Sequence, residues 1–365
     1  MKLMKAGVKM RKNYLDNIRW ITVILVLIYH VPYLFNNVGI LGGVGPEKCF
    51  TPMNAIMYFV YPWFMVLLFL IAGISTRYAL QKRTVKEFLN ERARKLLVPS
   101  TLGLFVLHWI TGYLNLKIGG VLESMPSFIV YPVSVLSGVG PLWFIQLLFV
   151  FSLLIILIYK VDQKDRLWEL GGKANTVVIV LFFVVLWGAS QILNMPMLTM
   201  YRFGIYFTAY LIGYAVFSHE EVMERVEKFG IPMLIVATVA GIAYTITYWG
   251  QNFTSSECLQ SVFTNFYAWI AILAMLGCGK CWLNGTSKFT SYMTKASFGL
   301  YILHYPILLV CSYLLYQYCP LPNSIIYLIA LVGELIITPI CYEVIRRIPV
   351  IRYLVLGISG KKKAS

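Results

Sequence analysis

The chain alternates between long apolar stretches and short polar connections. A helix that crosses a membrane needs about 20 largely apolar residues, and we find about ten stretches that approach this length. They are 18–38, 55–78, 96–116, 141–159, 176–194, 201–217, 231–249, 262–282, 296–317 and 324–345. The apolar stretch 128–137 is too short to span, so we expect it to lie at the membrane surface or to re-enter. The pattern predicts an all-α fold, a polytopic membrane helix bundle with about ten transmembrane helices.

The positions of the basic residues predict the orientation of this bundle. Ten crossings place both termini on one side, and of the 31 Lys and Arg residues only Lys48, Lys117 and Arg202 lie on the other side. Cytoplasmic loops of membrane proteins carry such an excess of basic residues. We therefore expect a multi-pass protein of the cell membrane with cytoplasmic N- and C-termini. The net charge of +16 then reflects topology, and we expect no nucleic-acid partner.

The composition agrees with a membrane protein that has no separate soluble domain. Hydrophobic residues make up 59% of the chain and charged residues 13%, whereas soluble domains are about half apolar and a quarter charged. The longest predicted cytoplasmic loops hold about 15 residues, too few to bury a core of their own. We predict a single membrane domain over residues 1–365. Cys278 and Cys281 have C-x-x-C spacing without a second pair or a nearby histidine, so we expect no metal site.

Ionisable side chains inside apolar stretches are the first candidates for function, because they are costly in a membrane. Arg19 and His30 are eleven residues apart, which places them on one face of the first helix and about 16 Å apart along its axis. Arg19 could hold a phosphate, and a neutral His30 could accept a proton from a hydroxyl. A purely structural explanation fits the two residues equally well. Arg19 would pair with Asp16 and extend to the membrane surface, and His30 would form an interhelical hydrogen bond.

Glu334 is the one carboxylate far inside a predicted span. We expect it either to take part in catalysis or to pair with His30, His304 or Arg202, or to be held neutral. For His304 and His108 we favour interhelical hydrogen bonds over a catalytic role.

Aromatic and polar residues near the predicted outer surface are candidates for binding an acceptor. Trp143 and Gln146 open the fourth predicted helix, and Arg202 is one of the few basic residues on that side. A belt of aromatic residues at the membrane surface is the alternative explanation.

Several stretches resemble the membrane-bound acyltransferase-3 family. "YLDNIRWITVILVLIYH" resembles its first-helix pattern of an arginine, ten residues and a histidine after an "LD-x-x-R" lead. "FLIAGIST" resembles its second-helix "F-x-x-S-G-F" element, with Ala72 in place of the serine. "ERARKLLVP" resembles the basic stretch that enters the third helix, and "PLWFIQLLF" and "SFGLYILHYPIL" resemble two later helices. These stretches follow the family's order over nearly the whole chain.

The resemblance implies transfer of an acyl group, often acetyl or succinyl, from cytoplasmic acyl-CoA to a hydroxyl of a sugar or cell-envelope glycan. It implies that His30 is the catalytic residue and that Arg19 is the family's first-helix arginine. The family's R-x-x-R pair maps onto Arg92 and either Lys95 or Arg94. A lysine keeps the charge but loses the bidentate geometry of arginine.

The resemblance also implies that acyl-CoA is a co-substrate and that no cofactor is bound permanently. The basic segment 77–95 could hold the nucleotide end of CoA, although positive-inside topology alone explains most of its charges. His30 could act as a general base on the acceptor hydroxyl or carry the acyl group itself, and the sequence leaves both open. The expected partners are acyl-CoA, a glycan or lipid-linked sugar, and the lipid bilayer. The alternative function is a proton-coupled transporter or flippase of an envelope precursor that uses Arg19, His30 and Glu334.

Overall fold

The computed structural model describes residues 12–40, 42–195 and 198–360. Within these ranges the chain forms helices and short connections without a β-strand, and one isolated bridge pairs Asn194 with Arg202. The predicted all-α membrane bundle is confirmed. The helices are α1 (Asn13–Leu34), α2 (Thr51–Leu80), α3 (Val85–Ile118), α4 (Ser127–Ser137), α5 (Gly140–Val161), α6 (Arg166–Gly172), α7 (Thr176–Ser190), α8 (Phe203–Ala215), α9 (Glu220–Lys228), α10 (Gly230–Thr247), α11 (Ser256–Leu259), α12 (Val262–Trp282), α13 (Lys288–Tyr318), α14 (Asn323–Ile345) and α15 (Pro349–Leu356).

Every stretch predicted to span the membrane contains a helix in the described ranges, but not every helix is long enough to cross. Eight helices there have sufficient length and apolar character, namely α1, α2, α3, α5, α10, α12, α13 and α14. Helices α7 and α8 cover two further predicted spans with only 15 and 13 residues, which reach about 20 Å against a hydrocarbon core of about 30 Å. The count of ten crossings and the orientation of the termini therefore stay predictions.

Helix α3 is irregular along its length. It contains two π-helical turns, Ala93–Leu97 and Leu104–His108, and such turns within α-helices are frequent at functional sites. Helix α4, with 11 residues, packs against the second half of α3. It is too short to span the membrane, as the length of the apolar stretch 128–137 predicted.

Helix α2 lies at the centre of the bundle and crosses α8 at close range. A Cβ atom on Gly73 would lie 1.9 Å from the carbonyl oxygen of Tyr210, and one on Gly213 would lie 2.0 Å from that of Leu70. Membrane helices approach this closely only where small residues face each other. Gly73, which is part of "FLIAGIST", is thus required by the packing of two helix backbones.

Helix α1 packs between α2 and α13, and α13 in turn packs against α14 and α3. We call the end of the bundle at which α1 begins the inner end and the end at which α1 stops the outer end, following the predicted orientation. This arrangement places His30 of α1 beside the middle of α13.

Candidate active site

Two histidines from different helices are in contact in the middle of the bundle. Nδ1 of His30 lies 3.3 Å from Nε2 of His304. The same Nδ1 lies 2.7 Å from the carbonyl oxygen of Val26, and Nδ1 of His304 lies 2.6 Å from that of Tyr301. Since a carbonyl oxygen can only accept, each Nδ1 carries a hydrogen. With both rings neutral, Nε2 of His304 then accepts a hydrogen bond from His30, and Nε2 of His30 carries no hydrogen and can act as a base.

The two histidines share a local sequence pattern. Each stands two residues before a proline inside its helix, as His30-Val31-Pro32 in α1 and as His304-Tyr305-Pro306 in α13. Proline has no amide hydrogen and interrupts the helical hydrogen bonding of the turn that precedes it. The predicted interhelical hydrogen bond of His304 is present, and its partner is His30. The repeated His-x-Pro pattern is a signal that could have linked the two residues from sequence.

His30 lines a cavity of about 550 Å³ that reaches toward the outer end of the bundle. Its walls are rich in aromatic side chains, among them those of Tyr33, Tyr61, Tyr206 and Tyr305. None of the described residues that line it is Asp, Glu, Lys or Arg. The volume is within the range of small-molecule sites. The cavity therefore suits an uncharged ligand that offers hydroxyl groups.

Trp143, a predicted acceptor residue, lies at this cavity. Its ring stacks on that of Tyr206, with the ring centroids 5.4 Å apart. The turn that precedes Trp143 is held in place by α13. The hydroxyl of Tyr301 in α13 donates a hydrogen bond to the carbonyl oxygen of Pro141 at 2.6 Å. The "PLWFIQLLF" stretch thus presents an ordered aromatic wall.

The predicted phosphate-binding arginines lie at the inner end, where they contact α2. Arg19 donates to a carboxylate oxygen of Asp16 at 3.0 Å and to the hydroxyl of Ser75 at 2.8 Å. Arg92 donates to the hydroxyl of Thr76, the residue that follows Ser75 in α2, at 3.2 Å. The expected pairing of Arg19 with Asp16 is confirmed, and consecutive hydroxyls of α2 hold two of the predicted cations.

Arg77, the following residue of α2, has a structural importance that the sequence did not reveal. Its guanidinium forms two hydrogen bonds with the carboxylate of Asp165, at 2.7 and 3.1 Å. It also donates to the hydroxyl of Tyr214 at 3.2 Å and lies over the ring of Trp168 at 4.6 Å. In the sequence Arg77 is one of several basic residues in its segment, and its partners lie 88 and more positions away. The contacts join α2 to the connection before α6.

A second, open pocket of about 600 Å³ lies on the inner surface beside the start of α3. Lys82, Arg83 and Arg94 line it together with two glutamates and an asparagine. Of the three basic residues predicted on α3 to bind CoA, Arg94 lines this pocket. Arg92 points to α2 instead, and Lys95 is exposed and pairs with Glu91 at 2.7 Å.

The sequence matches a family model described as an acyltransferase domain, acyltransferase-3, over residues 12–343. The chain belongs to the acyltransferase-3 family. Its relatives include proteins named glucans biosynthesis protein C from Escherichia coli O139:H28 (strain E24377A / ETEC) and from Shigella boydii serotype 4 (strain Sb227). Each is 21% identical to this chain over 95% of the chain and 94% of its own length. No solved structure matches the chain significantly.

The family assignment confirms the predicted resemblance and makes this protein a membrane acyltransferase. It favours that function over the predicted alternative of a transporter or flippase.

Two of the residues predicted to bind the acceptor lie behind the cavity wall of this acyltransferase. Gln146 accepts a hydrogen bond from the hydroxyl of Tyr201 at 2.8 Å, and Tyr201 lines the cavity. Arg202 is buried and donates to the carbonyl oxygen of Leu259 at 3.0 Å. Neither Gln146 nor Arg202 is among the described lining residues, so direct binding by them stays a prediction.

Glu334 of the acyltransferase is fully buried in α14, and neither carboxylate oxygen has a hydrogen-bond partner among the described residues. The three partners considered from sequence, His30, His304 and Arg202, form no hydrogen bond with it. Glu334 also does not line the cavity. Of the alternatives, a carboxylic acid held neutral fits this environment, because an unpaired buried charge is costly. Its predicted catalytic role stays untested.

His108 is a further buried histidine of the acyltransferase, in α3. Neither ring nitrogen has a hydrogen-bond partner among the residues that the structure describes. The interhelical hydrogen bond predicted for it is therefore absent there, and His108 offers a comparison for the two histidines that are in contact.

Proposed function

We propose that the protein transfers an acyl group, acetyl or succinyl, from acyl-CoA to a hydroxyl group of an uncharged cell-envelope glycan. The observation that carries this proposal is the hydrogen bond that commits Nδ1 of His30 to a carbonyl oxygen and leaves Nε2 as the basic nitrogen, at an aromatic cavity whose described lining residues include no Asp, Glu, Lys or Arg. A base of this kind can take the proton of a sugar hydroxyl. Membership of the acyltransferase-3 family supports the reaction class.

The chemical step needs one base that both accepts and returns a proton. The acceptor hydroxyl gives its proton to Nε2 of His30 while its oxygen attacks the thioester carbon. The new carbon–oxygen bond forms, and the carbon–sulfur bond breaks with its electron pair on sulfur. The sulfur of CoA then takes the proton from Nε2, so the products are the acylated glycan and CoA, and His30 is regenerated.

The donor would enter from the inner end as a co-substrate, without a permanently bound cofactor. The basic pocket at the start of α3 suits the phosphates of CoA. Arg19 lies about 16 Å below His30 along α1, a gap that the long, thin pantetheine arm can cover. In the predicted orientation, with cytoplasmic termini in the cell membrane, this end faces the compartment that holds acyl-CoA.

The acceptor would enter from the outer end. The relatives are named for the biosynthesis of glucans, which are uncharged polymers rich in hydroxyl groups. Tyrosine and tryptophan rings present apolar faces and polar edges to such a ligand. We favour a neutral glucan, either free or as a lipid-linked sugar, since no described lining residue could pair with an anionic one.

The purified protein in lipid nanodiscs provides the test. Radiolabelled acetyl-CoA or succinyl-CoA is supplied with neutral gluco-oligosaccharides, and oligogalacturonates of equal length serve as charged acceptors. We expect label on the neutral oligosaccharides and release of an equal amount of CoA. Labelling of neither sugar with either donor, or preference for the galacturonates, contradicts the proposal.

Replacing Arg94 with glutamine is expected to raise the KM for acyl-CoA about tenfold, since one charge–phosphate contact contributes on the order of 1.5 kcal/mol. The kcat and the KM for the glycan should stay the same, because Arg94 lines the inner pocket and not the cavity. Steady-state kinetics with varied donor measure the effect. Lys95→Gln is the matched control, because Lys95 is exposed and does not line the pocket. Equal effects of both changes would mean that the pocket is not the donor site.

A further inference from the structure

We propose that His304 is a positioning residue. Its hydrogen bond to His30 ensures that, of the ring nitrogens of the two histidines, Nε2 of His30 is the one that accepts a proton. This inference rests on the proposed acyl transfer and assigns a role in it to a residue that does not line the cavity. His304 acts through His30, because it hydrogen-bonds the ring of His30 and is not among the described residues that line the cavity.

The hydrogen bonds of His304 leave it one protonation pattern. The ring is fully buried, and its Nδ1–H is committed to the carbonyl oxygen of Tyr301 at 2.6 Å. Its Nε2 therefore faces the Nδ1–H of His30 as an acceptor, at 3.3 Å. A second proton on His304 would make its Nε2 an N–H group that points at the Nδ1–H of His30. Moving the hydrogen of His30 from Nδ1 to Nε2 would relieve this conflict, but it would break the 2.7 Å hydrogen bond to Val26. The pair can thus gain a proton without losing a hydrogen bond only at Nε2 of His30.

The same contact supports His30 once it carries the proton. Both ring nitrogens then carry hydrogens, and the ring has a positive charge. Its Nδ1–H donates to two acceptors, the Val26 carbonyl and the lone pair of His304. In a Ser-His-Asp triad an aspartate holds the histidine in this way, but no described residue lining this cavity has a carboxylate. His304 provides the second acceptor without introducing a charge.

The position of the His304 ring is itself fixed by its neighbours. Tyr305 packs against both histidines, with ring centroids 5.2 Å from His30 and 6.2 Å from His304. Tyr301, whose carbonyl binds His304, is anchored through its hydroxyl to Pro141. A ring held on two sides can hold its partner in one orientation.

Two amide substitutions that differ by one methylene group test the inference. In His304→Gln the amide oxygen reaches the place of Nε2 and can accept from His30. In His304→Asn the amide reaches only the place of Nδ1, so it can still bind the Tyr301 carbonyl but cannot reach His30. We expect His304→Asn to lower kcat roughly 10- to 100-fold with the KM values of both substrates within about threefold of the wild type. We expect His304→Gln to keep kcat within about fivefold.

Thermal unfolding of both variants distinguishes positioning from packing. A kcat that falls equally in the Asn and Gln variants, in step with a loss of thermal stability, would overturn the inference, because a merely structural histidine has no preference for the longer amide. An unchanged kcat in His304→Asn would overturn it as well.

Nitrogen NMR gives a readout that does not need catalysis. In protein labelled with ¹⁵N-histidine, the signals of His30 and His304 are identified by their loss in His30→Gln and His304→Gln. We expect both to report hydrogen on Nδ1, whereas an Nε2–H form at either residue overturns the inference. If both tautomers are as expected but neither acyl-CoA is used, the proposed function fails while the assignment of the pair is supported.

Discussion

Replacement of His30 with glutamine is expected to lower kcat for acyl transfer by about 10²- to 10⁴-fold, the range contributed by a positioned general base. The glutamine amide fills a similar volume but has no basic nitrogen, so the acceptor hydroxyl keeps its proton. The KM for acyl-CoA should change little, since the inner pocket is built from other residues. The measurement is the formation of labelled glycan and CoA by the variant in nanodiscs.

His108→Gln is the matched control for this change. It introduces the same substitution at a buried histidine without a hydrogen-bond partner among the described residues, and we expect its kcat to stay within about threefold of the wild type. A His30→Gln protein that folds and retains full activity would rule out His30 as the base. Rapid quenching with labelled acyl-CoA and no acceptor addresses the route: label retained on His30 indicates an acyl-histidine relay, and its absence favours direct transfer.

Replacement of Gly73 with valine is expected to prevent the close crossing of α2 and α8 and to destabilise the fold by at least about 3 kcal/mol, the upper part of the usual range for overpacking. Even the first added carbon would lie 1.9 Å from a backbone oxygen, which a rotamer change cannot relieve. The expected result is little or no folded protein after extraction, or a strongly lowered unfolding temperature. Size-exclusion chromatography and thermal unfolding in detergent measure both.

Gly188→Ala tests whether loss of a glycine as such has this effect. Gly188 lies inside α7, and a Cβ atom there would meet nothing within 4 Å. We expect a change of less than about 1 kcal/mol, with a gain in stability favoured because alanine suits a helix interior better than glycine. If Gly73→Val were as stable as Gly188→Ala, the helices would not cross as described.

The sequence predicts the elements of the bundle well because lipid leaves few alternatives to helices. The ends of the helices are predicted less well. The apolar stretches of α1, α7 and α8 run on to 38, 194 and 217, whereas the helices end at Leu34, Ser190 and Ala215. Hydropathy detects apolar segments but not the point at which the helix stops, so it overestimates length where an apolar connection follows.

The sequence predicts part of the site. It places residues that are close together along the chain, but not contacts between residues that are far apart. Arg19, Asp16 and His30 share one helix, so periodicity alone places them on one face. The contact between His30 and His304 joins residues 274 positions apart. The His-x-Pro pattern that both share marks them as similar positions, but it does not specify that their side chains meet. Gln146 has the expected location near the outer end, yet its side chain turns to Tyr201 instead of the cavity. Side-chain direction at a helix end depends on the neighbouring helices, which a single sequence does not specify.

The described residues that line the outer cavity include no Asp, Glu, Lys or Arg, whereas three basic residues and two glutamates line the inner pocket, so binding at the two places should respond differently to ionic strength. Salt screens charge pairs near the surface, with a Debye length that falls from about 10 Å at 0.1 M to about 3 Å at 1 M. If acyl-CoA binds at Lys82, Arg83 and Arg94 as we propose, rising salt should therefore increase its KM. The KM for a neutral glycan should remain nearly constant, because its binding involves no ion pair among the described lining residues. Kinetics at several salt concentrations with each substrate varied in turn would show whether the two substrates meet such different surroundings, and a parallel rise in both KM values would contradict it.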